Sequence, residues 1–352
     1  MKVEIYRLSM NNPGDAQGLQ QLLDSNVVKV SQIIAIIGKT EGNGGANDFT
    51  RALATHTVSE ALGKSLGISP AQVTKQIVIA WSGGCEGVLS PHMTVFTRDM
   101  SVTNPNPSDE KRLVISAQQT KVLKPEQIGR MPHVMAVAKA VGTAVEELGI
   151  AHQDIHYVQV KGPLLTPEAI ASTQAQGKDV VTEDPNLSKK YARGAMGLGV
   201  AVGLKEIPQN EVTEEAIAHD MSLYSSVAST SAGGEINHCE VVVFGNSSTS
   251  TSQYRIGHAA LASVTDIEGV RAAILSAGLH IRTEATKAEA QQIAAIFAKA
   301  EAPIHGVLWG QRTTMLSDAD IHYERNARAA LGAVITSVTH DPRIFVSGAT
   351  EH

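Results

Sequence analysis

"IIAIIGKTEGNGGANDFTR" occupies Ile33 to Arg51. Its apolar run ends on Gly38-Lys39-Thr40, which matches the end of the phosphate-binding loop G-x-x-x-x-G-K-S/T. The first glycine of that signature falls on Ile33, so the loop is broken and Lys39 needs another role. Two further segments repeat the arrangement. In the first segment Lys39 ends a strand, Arg51 opens a helix, and "VIAWSGGCEG" brings Ser82 after a second strand. "HYVQVKGPLLT", "YARGAMGLGVAV" and "SSVASTSAGGE" then supply Lys161, Arg193 and Ser231. "AAIFAKAEA", "HYERNARAALGAVI" and "RIFVSGATE" supply Lys299, Arg325 and Ser347. Each serine opens S-x-(G/A)-x-E, pairing Ser82 with Glu86, Ser231 with Glu235 and Ser347 with Glu351. The order Lys, Arg, Ser holds three times, which marks an internal repeat.

Strand-like and helix-like runs alternate, as in an α/β protein. Strands are predicted at Gln32–Gly38, Gln76–Gly84, Lys111–Thr120 and Val241–Ser247. Helices are predicted at Asn47–Gly67, Pro132–Gly149 and Glu324–Val338. In the first of these, Phe49, Leu53, Val58 and Leu62 share one side. Lys287–Ala302 reads as helix with an end that also suits a strand. "TNPNPSDEK" (Thr103 to Lys111) and "GNSSTSTSQYR" (Gly245 to Arg255) read as linkers. They divide the chain into repeat domains at 1–104, 111–250 and 254–352.

Composition narrows the function. At 43% hydrophobic and 18% charged, the 352 residues have a globular composition. A net charge of −6 argues against nucleic acid and anionic membrane as partners. An aromatic content of 4% argues against base-stacking platforms. Two distant cysteines, Cys85 and Cys239, form neither a disulfide framework nor a zinc pattern. The N-terminal "MKVEIYRLSM" has no signal-peptide core, and "GAMGLGVAVGL" is far shorter than the ~20 residues of a membrane span. A cytoplasmic location is expected.

A serine hydroxyl needs a base to become a nucleophile. Lysine is that base only when burial or nearby positive charge pulls its pKa down from ~10.4. Three lysines and three arginines converging on one pocket would supply both effects. Gly83, Ala232 and Gly348, each following a serine, offer backbone N–H groups to an oxyanion. This is the equipment of amide or ester hydrolysis; a non-catalytic binder of a small cyclic imide is the other reading. His152 and His156 lack the setting of a metal-binding helix, and no histidine is placed beside Cys85. His92 follows the first serine motif and is a structural or pocket-adjacent residue.

"GKTEGNGGANDFTR", "SGGCEGVLSPH", "EQIGR", "HYVQVKGPLLTP", "RGAMGLGVAV", "LYSSVASTSAGGE", "RIGHA", "FAKAEA" and "TMLSDADI" resemble the ring-opening amidohydrolases, the family of cyanuric acid amidohydrolase and barbiturase. The resemblance runs through nearly the whole chain. It implies three similar α/β domains around a pseudo-three-fold axis, with a central active site. It implies hydrolytic opening of a small planar cyclic imide, cyanuric acid in preference to barbituric acid. Ser231 and Lys161 are then the catalytic pair. Lys39, Arg51, Ser82, Gly83, Arg193, Ala232, Lys299, Arg325, Ser347 and Gly348 bind the ring. No catalytic cofactor is implied, but a structural Mg²⁺ or Ca²⁺ is, with Glu301 as its carboxylate. A homotetramer is implied as well. The sequence also departs from the family pattern. Cys85 follows the first Ser-Gly-Gly, Trp309 and Thr313 stand where relatives often carry Arg and His, and Trp81 is a barbiturase-like feature. The family's Gly/Pro-rich tail past the third serine has no counterpart after His352, so the metal site is expected to be weak or empty.

Overall fold

Two sheets of identical order organise the first two-thirds of the chain. In the first, β1 (Lys2–Ser9), β2 (Ile33–Thr40), β3 (Val78–Gly83) and β4 (His92–Asp99) lie in the order β1-β4-β2-β3. In the second, β5 (Arg112–Gln119), β6 (Ile155–Pro163), β7 (Ala228–Gly233) and β8 (Glu240–Ser247) lie in the order β5-β8-β6-β7. In each, the lysine strand runs parallel to the serine strand and antiparallel to the strand that follows the serine. The third sheet holds only the parallel pair, β9 (Phe297–Ala300) with β12 (Phe345–Gly348), among the described residues. A short hairpin, β10 (Val307–Leu308) with β11 (Gln311–Arg312), lies between them in sequence. The computed structural model describes residues 1–102, 109–301, 306–315, 323–349 and 351–352. Most of the first linker and of "TMLSDADI" lies outside the described residues.

The helices, in chain order, are α1 (Gln17–Asp24), α2 (Phe49–Leu66), α3 (Pro70–Val73), α4 (Met131–Leu148) and α5 (Pro167–Ala175). They continue with α6 (Pro185–Gly203), α7 (Ile267–Ser276), α8 (Lys287–Ala290) and α9 (Tyr323–Thr339). Three of them complete the same unit: lysine strand, arginine helix, serine strand. Thus α2 connects β2 to β3, α6 precedes β7, and α9 precedes β12. No helix among the described residues is long and apolar enough to cross a membrane.

The lysine strand is apolar throughout because both its faces are covered, as in parallel sheets generally. Ile36 packs with Val58 and Leu62 of α2. Ala35 and Ile37, on the opposite face, join Phe96, Ile115, Phe244 and Phe345 in a core shared by all three sheets. This shared core brings the three strand ends together.

Two local expectations change. Phe49 and Leu53 are exposed, at 80% and 49%. The buried side of α2 is Arg51, Ala54, Val58 and Leu62, so a charged residue holds the inward position. Lys287–Ala302 is helical only over Lys287–Ala290 and ends in β9. Pairing with Ser347 requires an extended backbone at Lys299, and that tertiary demand overrides an alanine-rich helix propensity.

Candidate active site

Strand register places each lysine beside its serine. Lys39 pairs with Ser82, Lys161 with Ser231 and Lys299 with Ser347 across parallel strands. The next rung pairs Thr40 with Gly83, Gly162 with Ala232 and Ala300 with Gly348. Ser82, Ser231, Ser347 and their following Gly83, Ala232 and Gly348 line one pocket with Arg51, Lys161 and Arg193. Lys39 and Lys299 are not among the lining residues.

The glutamates of the repeated motif tie the domains together in a cycle. Glu235 Oε1 lies 2.7 Å from Lys161 Nζ and 3.1 Å from Arg51 Nε. Glu86 lies 2.8 Å from Lys39 Nζ and pairs with Nε of Arg328. Glu351 Oε1 accepts from Arg193 Nη2 at 2.6 Å. Each glutamate thus holds the arginine of the preceding repeat, the third passing on to the first. Lys299 breaks the pattern: its Nζ donates to Thr230 O at 2.7 Å and to Thr230 Oγ1 at 3.1 Å.

One site residue moves. Arg325 donates to Asn43 O at 3.1 Å, is half-buried and does not line the pocket. Arg328, three residues on, lines it instead. The flanking residues carried the signal: Ala-Arg-Gly-Ala-Met-Gly around Arg193 recurs as Ala-Arg-Ala-Ala-Leu-Gly around Arg328, not around Arg325. The sequence reading also missed Lys189, Glu324 and Thr230 in the lining. Lys189 and Glu324 carry a readable signal, since each stands one helical turn before its arginine.

The three serines are not equivalent. Ser82 Oγ donates to Val346 O at 2.8 Å, and Ser347 Oγ shares a 3.2 Å hydrogen bond with Ser229 Oγ. Ser231 Oγ is shielded from solvent and has no hydrogen-bond partner among the described residues. Burial pulls the lysines down, Lys39 to about 8 and Lys299 to about 7, and Lys161 in the same direction. Burial would lift the Glu235 carboxyl, but Lys161 and Arg51 outweigh it and hold it at about 2. For Glu351 burial wins over Arg193 and Lys299, and its pKa is raised.

The remaining candidates fall outside the pocket. His92 is buried on β4, opposite Lys39, with Nδ1 2.9 Å from Ser90 O. Cys85 Sγ turns to Glu41 O and Gly42 O. His152 lies in a short 3-10 turn and His156 on β6, where its Nδ1 is 2.9 Å from His258 Nδ1. Glu301 lends negative charge to Lys299. Among the described residues no group of three or more His, Cys, Asp or Glu stands close enough to hold a metal.

Comparison with known proteins shows the family. The sequence pattern of the family described as "Amidohydrolase ring-opening protein" matches residues 4–352. The chain belongs to the ring-opening amidohydrolases. Within this family it is 54% identical to a cyclic amide hydrolase of Azorhizobium caulinodans, over 100% of this chain and 96% of the relative. It is 42% identical to a cyanuric acid amidohydrolase of Pseudomonas sp. (strain ADP), over 99% and 95%. Barbiturase 1 of Nocardioides sp. is 40% identical over 99% and 95%. A solved cyanuric acid hydrolase, described as an innovation by structural concatenation, superposes with a TM-score of 0.93 at 41% identity, covering 100% of this chain and 95% of its own. The fold is accordingly the α/β architecture of that family, and the chain is a hydrolase of cyclic amides.

Proposed function

We propose that this chain opens the ring of cyanuric acid by hydrolysis, giving carboxybiuret, which loses CO₂ to leave biuret. Ser231 carries the reading: alone among the three pocket serines its hydroxyl is uncommitted, and it stands on the rung beside Lys161. The neutral form of Lys161, favoured by burial, takes the Ser231 proton. Ser231 Oγ attacks a ring carbonyl, and the N–H of Ala232 supports the oxyanion. The ring C–N bond breaks, and Lys161 returns the proton to the departing nitrogen. Water then attacks the acyl-serine with the same lysine as base. Arg51, Arg193 and Arg328, with Ser82 and Ser347, hold the other carbonyls so that the attacked carbon sits near Oγ. Gly83 and Gly348 keep those positions open, while Lys39 and Lys299 stand on the strand rungs beside Ser82 and Ser347.

Barbituric acid is the second reading, favoured by Trp81 in the pocket lining and by the 40% identity to Barbiturase 1. Three nearly complete Lys/Arg/Ser/Glu sets suit a ring with three equal carbonyls better. Turnover of the two rings measured side by side decides it: cyanuric acid is consumed faster. Barbituric acid opened with cyanuric acid untouched overturns the assignment, and binding without hydrolysis product from either ring establishes the non-catalytic reading. We further propose repeat units at 1–104, 111–250 and 254–352, a cytoplasmic homotetramer, and no step routed through a metal. Any structural Mg²⁺ or Ca²⁺ at Glu301 would complete its shell with backbone carbonyls.

A further inference from the structure

The three repeats agree at Lys, Arg, Ser and Glu but differ one helical turn before the arginine. Asn47 precedes Arg51 by four, Lys189 precedes Arg193 by four, and Glu324 precedes Arg328 by four. Amide, cation and anion thus occupy equivalent places. Asn47 is exposed and outside the lining, whereas Lys189 and Glu324 both line the pocket. Their charged ends face each other across the junction of α6 and α9, with Lys189 Nζ 3.9 Å from Glu324 Oε2.

The two oxygens of Glu324 have different surroundings. Oε1 accepts from Arg193 Nη2 at 2.9 Å. Oε2 lies 3.7 Å from Arg328 Nη1 and 3.9 Å from Lys189 Nζ, beyond hydrogen-bond reach of either. Burial would raise this carboxyl, but Arg193, Lys189 and Arg328 hold it well below the usual carboxylate range. An ionised carboxylate only accepts hydrogen bonds, so Oε2 is able to accept one from an N–H in the pocket. Lys189 is also lightly held, with Nζ 3.5 Å from Gly44 O, and it only donates. An acceptor beside a donor matches an N–H beside a C=O, which is one edge of a cyclic imide. Arg193 has partners besides Glu324, namely Glu351 and Gly348 O at 2.6 and 3.2 Å.

Building on the proposed activity, we infer that Glu324 Oε2 accepts a ring N–H of the substrate while Lys189 donates to the adjoining carbonyl, so that this pair selects rings with an unsubstituted imide edge. Glu324 is a specificity-determining residue on the third repeat, and it makes a pocket of three-fold ancestry chemically one-sided. A ring alkylated on every nitrogen leaves the carboxylate unsatisfied, which is the strongest ground on which a polar site rejects an analogue.

The test is a cycle between enzyme and ring. Cyanuric acid and its N,N′,N″-trimethyl analogue are compared on the wild type, Glu324→Ala and Glu324→Gln by kcat/KM. Competition binding to the same chains carrying Ser231→Ala provides the readout without turnover. The wild type should prefer the N–H ring by 100-fold or more, and Glu324→Ala should cut that preference at least tenfold, chiefly through KM. Glu324→Gln, whose carbonyl still accepts, should keep most of it. Equal losses on both rings would assign Glu324 a merely structural part and overturn the inference. Turnover absent from every chain, with the binding preference intact and lost in Glu324→Ala, overturns the hydrolase reading and leaves the recognition of the imide edge standing.

Discussion

Ser82, Ser231 and Ser347 end equivalent strands, yet only one keeps a free hydroxyl. A hydroxyl already donating to a carbonyl, as Ser82 does to Val346 O, must break that bond before it attacks. Ser231 has no such bond to lose. A slow or reactive cyclic imide should therefore add mass to the wild type and to Ser82→Ala but not to Ser231→Ala, as read by intact-protein mass spectrometry. An adduct mapped to Ser82 or Ser347 would reassign the nucleophile. The base is tested separately. Lys161→Arg keeps the charge beside Glu235 but cannot deprotonate, and kcat should fall by roughly 10²–10⁴-fold. In the wild type kcat/KM should rise with pH as Lys161, pulled below the ordinary lysine value by burial, loses its proton. That limb should be missing from whatever activity Lys161→Arg retains.

At the scale of elements, the site depends on how each helix begins. Asp48 caps α2, its carboxylate accepting from Thr50 N at 3.1 Å, and it also meets Arg51 Nη1 at 3.3 Å. Gly83, at the end of the neighbouring serine strand, leaves room for it: a Cβ there would sit 1.9 Å from Asp48 Oδ2. Gly83→Ala should therefore displace the cap and the arginine together, lowering stability by about 1–3 kcal/mol. The denaturation midpoint and kcat/KM should both fall. Full activity with unchanged stability would show that the strand end and the cap move independently. The lysine, arginine and serine positions were legible from spacing because each sits at a fixed place in a strand-helix-strand unit. Arg325 and Arg328 lie on the same helix and neither the period nor the charge ranks them, but the residues after Arg193, Gly-Ala-Met-Gly, are matched by Ala-Ala-Leu-Gly after Arg328.

At the scale of the whole molecule, two histidines are folded away in neutral form. Burial pulls His92 down to about 4 and His133 to about 3, from an ordinary 6.5. His133 accepts from Gly129 N at 3.1 Å through Nδ1, which leaves Nε2–H for Cys239 Sγ at 3.0 Å. Unfolding exposes both rings, which then take up protons at any pH between about 4 and 6.5. The unfolded state binds more protons there, so stability rises with pH through that window and is lost as pH falls through it. Two protons correspond to about 2.7 kcal/mol per pH unit. Denaturant titrations at pH 7 and pH 5 should show this loss, and His133→Gln should remove about half of it. A stability unchanged between the two pH values would mean that one or both rings are not buried as neutral groups.

The sequence by itself determined the three Lys-Ser-Glu sets, two of their arginines, the α/β class and the family, because apolar runs, glycines and motif spacing are local and repeat in register. Only the tertiary structure decided how the copies differ. It exposed Phe49 and buried Arg51, drew Lys299 out of a helical pattern into a strand, and exchanged Arg325 for Arg328. It closed the cycle in which each glutamate holds another repeat's arginine, and it left Ser231 Oγ without a hydrogen-bond partner among the described residues. These are properties of side chains more than a hundred residues apart. Their distances and protonation follow from burial and from the charges that packing assembles around them, and neither is carried by the spacing of residues along the chain.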